Sequence, residues 1–171
     1  MESLDILLSL AVPGTKSGRI FSEEKRFQLS EYKNKLYVEK IRNSQELAPL
    51  PGVIDTLRGL RQKGIRIAVT SSSKNAPLII DRLGMEDDFD VIVDGRHVVK
   101  SEPDPEVFLL AAEKLNILTD SCIIFEDSAA GVIATGKAGM YFVGIRLQQK
   151  LTGADLIIPA VNPDRILQFF E

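Results

Sequence analysis

The sequence predicts an α/β fold, a Rossmann-like parallel sheet with helices on both faces, joined to a mostly helical N-terminal segment. Three observations predict it. From Pro49 onward, short unbroken apolar runs alternate with amphipathic stretches. A strand covered on both faces reads as such a run, and alternation with helices makes the sheet parallel. Before Pro49, over residues 1 to about 46, the chain is polar and helix-patterned. Finally, 171 residues at 44% hydrophobic suit one domain with a small appendage, and bury enough apolar surface to fold without a covalent staple. The expected division is a helical segment over residues 1–46 and an α/β core over residues 47–171.

In the first segment Ile6, Leu7 and Leu10 make a short apolar face, and Pro13 to Gly18 breaks it. Ser22 has the character of an N-cap, with Glu23 and Glu24 in the first turn, where the helix dipole favours anions. Phe27, Leu29, Tyr32, Leu36, Tyr37 and Ile41 continue that helix. It carries many charges, so it is expected to cover something else and not to form a core.

In the core, strands are expected at Ile65–Val69, Phe89–Val93, Cys122–Phe125, Tyr141–Ile145 and Ala154–Ile158. Helical patterns lie between and after them at 53–63, 75–83, 105–115, 129–138 and 163–170. Asp94-Gly95, flanked by Val91, Val93, Val98 and Val99, offers a hairpin as an alternative. Arg146–Gly153 reads as a loop, His97 as a turn residue and Cys122 as a buried strand residue. Gly131, Gly136 and Gly139 suit helix packing and termination.

Composition narrows the chemistry. A net charge of −3 argues against general nucleic-acid binding. No apolar run approaches membrane-spanning length, and Met1 to Asp5 do not read as a secretory start. One cysteine and one histidine leave no internal disulfide and no Cys- or His-rich metal module. That usage suits a reducing compartment, so a cytoplasmic location is expected. Carboxylates, hydroxyls and lysines remain.

Ligands of open parallel sheets bind beyond the carboxyl ends of the strands. After Val69 come Thr70, Ser71, Ser72, Ser73, Lys74 and Asn75. After Phe125 come Glu126, Asp127 and Ser128. Before the helix at 105 lie Lys100, Ser101, Glu102, Pro103 and Asp104. The hydroxyl cluster opens a helix, which suits a phosphate or, equally in residue type, a simple N-cap. Glu126 and Asp127 suit a hard cation such as Mg²⁺ or, alternatively, capping by Asp127 with a solvated Glu126. Side by side, an anion-binding turn and an acid pair favour Mg²⁺ with phosphate, the electrostatic device of phosphoryl transfer.

Taken together these segments resemble the haloacid dehalogenase superfamily, and within it the β-phosphoglucomutase-like branch with its phosphatase relatives. Ile67 to Pro77 look like its second motif, Pro103 to Phe108 like its third, and Phe125 to Gly131, running on to Met140, like its fourth. The resemblance implies that Ser71, helped by the Ser72 amide, binds the transferring phosphate. It implies that Glu126 and Asp127 hold Mg²⁺, Asp127 directly, and that Ser73, Lys74 and Asn75 contact a small-molecule sugar phosphate. Residues 1–46 resemble the later part of the family's helical cap, with Ser3 and Lys33 at its substrate-facing positions.

Two departures accompany it. The family's central strand ends in two aspartates, nucleophile and general acid/base, and has no counterpart here; nor do the first half of the cap and a cap arginine. Glu102 stands where the family has lysine. Two like charges about 4 Å apart repel by about 4 kcal/mol at an effective dielectric near 20, and Lys100 is the nearest substitute cation. The expectation is a phosphoryl-transfer protein, mutase or phosphatase, cut short and inactive as given. The alternative is a non-catalytic phosphate- or protein-binding pseudoenzyme. Low stability is expected where the central strand is missing.

Overall fold

The computed structural model describes residues 22–145 and 153–170. The apolar face expected at Ile6, Leu7 and Leu10 lies outside these residues, as do residues 146–152 of the expected loop. The chain divides into two compact units, Met1–Leu47 and Ala48–Glu171.

The described part of the first unit is helix α1 (Glu23–Asn43). The Ser22 hydroxyl accepts the Lys25 N–H at 3.2 Å and caps its start. Glu23 and Glu24 in the first turn and Lys40 and Arg42 in the last complement the helix dipole. Ile41 is buried, whereas Phe27 and Tyr32 are exposed. Among the described residues no helix is long and apolar enough to cross a membrane.

The second unit runs α2 (Val53–Gln62), β1 (Ala68–Thr70), α3 (Ala76–Leu83), β2 (Val91–Val93) and α4 (Glu106–Leu115). It continues with β3 (Ile123–Glu126), α5 (Ala129–Ala138), β4 (Tyr141–Ile145), β5 (Leu156–Ile158) and α6 (Pro163–Leu167). Every strand pair is parallel. Ala68 pairs with Val91, Ile123 with Tyr141, and Val143 with Leu156. The strands form two separate ladders, β1-β2 and β3-β4-β5. The expected parallel sheet flanked by helices is present, with a break between β1 and β3.

The side-chain layers do not break with the backbone. On one face Val107, Phe108, Ala111 and Ala112 of α4 join Ala134 and Ala138 of α5 in one cluster. Ala68 and Val91 of the first ladder and Ile124 of the second pack against it. On the other face Leu57, Leu60 and Ile80 meet Val69 and Ile92, with Phe170 against them. Phe170 also packs with Val143, Ile158 and Ile166, beside Ile123 and Phe125. Alternate residues of β1 and β3 thus serve the same two layers, as the period of two in a strand requires.

Several elements are shorter than expected, for local reasons. β1 starts at Ala68 because the Ile67 N–H is taken by the Asp90 carboxylate at 2.7 Å and the Ile65 N–H closes α2 on the Leu60 carbonyl at 3.0 Å. Asp94-Gly95 makes a turn and not a hairpin. The fully buried Asp94 carboxylate accepts the Arg96 backbone N–H at 2.8 Å and its guanidinium at 2.6 Å, and the Asp94 carbonyl accepts the His97 N–H at 2.9 Å. Cys122 is not a buried strand residue. It precedes β3, partly exposed, and its thiol donates to the Leu118 carbonyl at 3.3 Å. α6 ends at Leu167 and tightens into a 3-10 turn over Gln168–Phe170. Gly139 ends α5 in the left-handed region at φ 68°, as expected of a helix stop.

Asp90 ties β1 to β2. Beyond the Ile67 amide it pairs with Arg66 at 3.1 Å, and these bonds hold its carboxyl below the usual range. A lowered carboxylate pKa contributes stability above the unfolded value and loses it as pH falls through the folded one. Asp90→Ala should therefore cost about 1–2 kcal/mol at pH 7. The difference from the unchanged protein should shrink as pH falls below about 4, measured by urea unfolding across pH.

Candidate functional site

β1 ends where Ser71 donates its N–H to the Val93 carbonyl at 2.9 Å. The Ser71 hydroxyl then accepts the Ser73 N–H, and the Ser73 hydroxyl the Asn75 N–H, each at 3.1 Å. These two turns wind the chain into α3, so the oxygens of Ser71 and Ser73 perform the capping considered from sequence. The same winding leaves the amides of Ser72 and Lys74 without an acceptor among the described residues, and both residues are exposed. The loop lies close over Gly95, where an added Cβ would collide with the Ser72 carbonyl and stand 3.4 Å from the Lys74 nitrogen. Amides without an acceptor at a helix start, with hydroxyl groups beside them, suit an anion.

β3 ends in Glu126, followed by Asp127 and Ser128. The residue that caps α5 is Ser128, not Asp127: its hydroxyl accepts the Gly131 N–H at 2.9 Å. The Ser128 N–H in turn donates to Glu126 Oε1 at 3.1 Å. Glu126 is partly buried and not solvated, packed so closely on Gly131 that a Cβ there would strike its side chain. The third contributor is Glu102. Its carboxylate lies within the electrostatic reach of the Ser72 side chain and of the charges of both Asp127 and Glu126. Burial first, and the neighbouring carboxylate second, push Glu102 up against the opposing pull of Ser72. Glu126 is pushed up by burial, then by Glu102, against the hydrogen bonds from Ser128.

The structure thus brings the loop from Ser71 to Asn75 together with Glu102, Glu126 and Asp127 at the carboxyl ends of β1 and β3. Lys100 is not among them. It is 70% exposed, its ammonium stands 3.7 Å from Asp104, and its backbone N–H donates to Glu106 at 2.8 Å. It lines a shallow groove with His97, Asp104 and Glu113 that holds none of the residues above. Lys33 lies on α1, in the other unit, and Ser3 lies outside the described residues. Lys137, which sequence reasoning missed, donates its ammonium to the Pro103 carbonyl at 2.9 Å and pins the chain beside Glu102. No local signal marks that contact. Ser128 was findable as an N-cap, standing directly before a helical run. Among the described residues no group of three or more His, Cys, Asp or Glu side chains is placed to hold a metal ion.

A family model described as haloacid dehalogenase-like hydrolase matches residues 9–145. β-Phosphoglucomutase of Bacillus subtilis (strain 168) is 37% identical over 157 residues, 92% of this chain and 68% of that protein. A phosphorylated carbohydrates phosphatase of Thermotoga maritima is 36% identical over 150 residues, covering 84% and 69%. The crystal structure of β-phosphoglucomutase from Clostridium difficile superposes with a TM-score of 0.78 at 33% identity, over 88% of this chain and 70% of that one.

A carboxylate whose folded pKa is raised costs stability above its unfolded value and ceases to cost it as pH falls through the unfolded value. Glu102→Gln should therefore raise the urea midpoint at pH 7, and the gain should vanish below about pH 4. In the same variant the Glu126 carboxyl resonance should titrate at lower pH than before, because one repelling neighbour is gone.

Proposed function

The chain belongs to the haloacid dehalogenase-like hydrolase family, in its β-phosphoglucomutase-like branch, and on that premise we propose that its strand-end cluster is the phosphate and Mg²⁺ side of a phosphoryl-transfer site for a sugar phosphate. The relatives are a β-phosphoglucomutase and a phosphatase of phosphorylated carbohydrates, so a small sugar phosphate is the substrate class. One observation carries the reading. The Ser71 hydroxyl and the acceptor-free amides of Ser72 and Lys74 stand at the same end of the fold as Glu126 and Asp127.

In this reading Ser71 and the Ser72 amide hold the oxygens of the transferring phosphoryl group. Ser73, Lys74 and Asn75 hold the rest of the substrate. Carboxylate oxygens are the donors Mg²⁺ prefers, and it needs only one or two of them beside water and phosphate. Glu126 and Asp127 fit it as a pair, with Glu126 oriented by Ser128. When bound, the ion neutralises phosphoryl charge. By resemblance residues 1–46, with Ser3 and Lys33, belong to the family's helical cap segment, and the lone cysteine suits action in the cytoplasm.

The chain as given does not complete a catalytic cycle in this proposal. No Asp-x-Asp follows an apolar strand in these 171 residues, and orientation alone does not replace a covalent nucleophile. Glu102 favours a second reading, a phosphate-binding pseudoenzyme, because a carboxylate within reach of Asp127 opposes an incoming anion. The two readings divide on what lies N-terminal to these residues in the gene. An in-frame apolar strand ending in Asp-x-Asp supports the enzyme, and unrelated sequence supports the pseudoenzyme.

Two outcomes are expected. The 171-residue chain should give no turnover of β-glucose 1-phosphate above a Glu126→Ala control in a coupled assay. In calorimetric titration with a phosphate analogue and Mg²⁺, Glu102→Lys should bind at least about tenfold tighter than the unchanged chain, since one repulsion becomes an attraction. Unchanged affinity would remove the phosphate site from this strand end.

A further inference from the structure

Among the described residues Asp94 is the one ionisable side chain that is fully buried. The other buried polar side chains, Thr56 and Thr135, each donate their hydroxyl to a carbonyl four residues earlier, at 2.7 and 2.8 Å. A carboxylate taken out of water is costly unless it is paired and hydrogen-bonded. Asp94 meets that condition on the turn that follows it. Its Oδ1 accepts the Arg96 backbone N–H at 2.8 Å and Nε at 3.0 Å, and its Oδ2 accepts Nη2 at 2.6 Å. Its own N–H donates to His97 Nδ1 at 3.1 Å, and its carbonyl accepts the His97 N–H at 2.9 Å. The residue these bonds enclose is Gly95.

Asp94 also lies between two contacts with the loop from Ser71 to Asn75. One residue before it, the Val93 carbonyl accepts the Ser71 N–H at 2.9 Å. One residue after it, Gly95 lies so close to the loop that a Cβ would collide with the Ser72 carbonyl and stand 3.4 Å from the Lys74 nitrogen. Gly95 is not among the glycines of positive φ, so the loop alone opposes a side chain there. The two amides that lack an acceptor, those of Ser72 and Lys74, belong to the span that Gly95 touches. Ser72 and Lys74 are themselves exposed, so burial of their own side chains does not fix that span.

We propose that Asp94 is the positioning residue of the anion loop: by fixing the turn from Gly95 to His97 against Ser72 and Lys74, it sets where their amides stand. The inference rests on the phosphate reading of this loop given above. Asp94 itself touches neither phosphate nor metal in that reading. Arg96 completes the device, since its guanidinium, 59% exposed, neutralises the buried carboxylate from the solvent side. Precision is what such a device supplies: donors serve an oxyanion at about 2.7–3.1 Å, and a misplacement of about 1 Å is enough to cost about a hundredfold.

Two variants of the full chain test this. Asp94→Asn keeps the size of the side chain and removes the charge that holds the Arg96 guanidinium. Gly95→Ala leaves Asp94 intact and pushes on the Ser72 carbonyl. In ligand-free NMR spectra both should shift the amides of Ser71 to Asn75 and leave those of Glu126 to Ser128 in place. In calorimetric titration with inorganic phosphate at a fixed excess of Mg²⁺, both should bind at least about tenfold more weakly than the unchanged chain. Asp90→Ala, which loosens the opposite end of the same two strands, should bind as the unchanged chain does. If Asp94→Asn does not fold, Gly95→Ala decides alone. Loop amides that stay in place overturn the inference, as do shifts of equal size at Glu126 to Ser128. Phosphate affinity equal to that of the unchanged chain, or an equal loss in Asp90→Ala, also overturns it. Each of these leaves the phosphate site standing. An unchanged chain that binds no phosphate overturns the site itself, and this inference with it.

Discussion

Everything at the candidate site depends on the ends of β1 and β3 lying at one level although no ladder joins the two strands. The constraint is met by side chains. α4 and α5 form one layer against Ala68, Val91 and Ile124, and Phe170 at the chain's end supports Val69, Ile123 and Phe125 from the opposite face. A parallel sheet normally transmits position through its hydrogen bonds, which fix neighbouring strands about 4.8 Å apart. Here that transmission is interrupted, and the packed helices carry the alignment of the two strand ends.

The electrostatics of the strand end follow from that alignment. The amides of Ser72 and Lys74 have no acceptor among the described residues, and each is worth about 1.5–3 kcal/mol toward a charged acceptor. Against them stand Glu102, Glu126 and Asp127, and one carboxylate at 4 Å from an anion opposes it by about 4 kcal/mol at an effective dielectric of 20. Three carboxylates against the single loop lysine, Lys74, leave this strand end net negative, and the repulsion wins. The carboxylates relieve part of it by rising in pKa, through burial and through each other. Beside Lys74 in the loop itself, the neighbouring lysines do other work: Lys100 lies beside Asp104, and Lys137 holds the Pro103 carbonyl. In the proposed function, divalent metal is thus a precondition for anion binding, because its charge reverses the balance.

Much of this was legible in sequence, and the parts that were not share a cause. Unbroken apolar runs marked all five strands of the second unit, since burial on both faces leaves that imprint. Ser71 and Glu126 were identifiable because ligand residues follow strand ends. The start of β1 was misplaced because Asp90, more than twenty residues away, takes the Ile67 amide. The Asp94-Gly95 pair carried a hairpin signal that the buried Asp94 carboxylate overrides by folding Arg96 and His97 back onto itself. Lys137 against Pro103 is a contact between distant segments with no periodic or local signature. Departures therefore arise where a side chain replaces a backbone partner, which is a tertiary event.

The measurement that tests the central claim most directly is a backbone NMR titration of the full chain with inorganic phosphate, first alone and then with Mg²⁺ present. The account predicts little change with phosphate alone. With Mg²⁺ it predicts shifts concentrated at Ser71 to Asn75 and at Glu126 to Ser128, largest at the amides of Ser72 and Lys74. Shifts of equal size without Mg²⁺, or shifts confined to other parts of the chain, would contradict it.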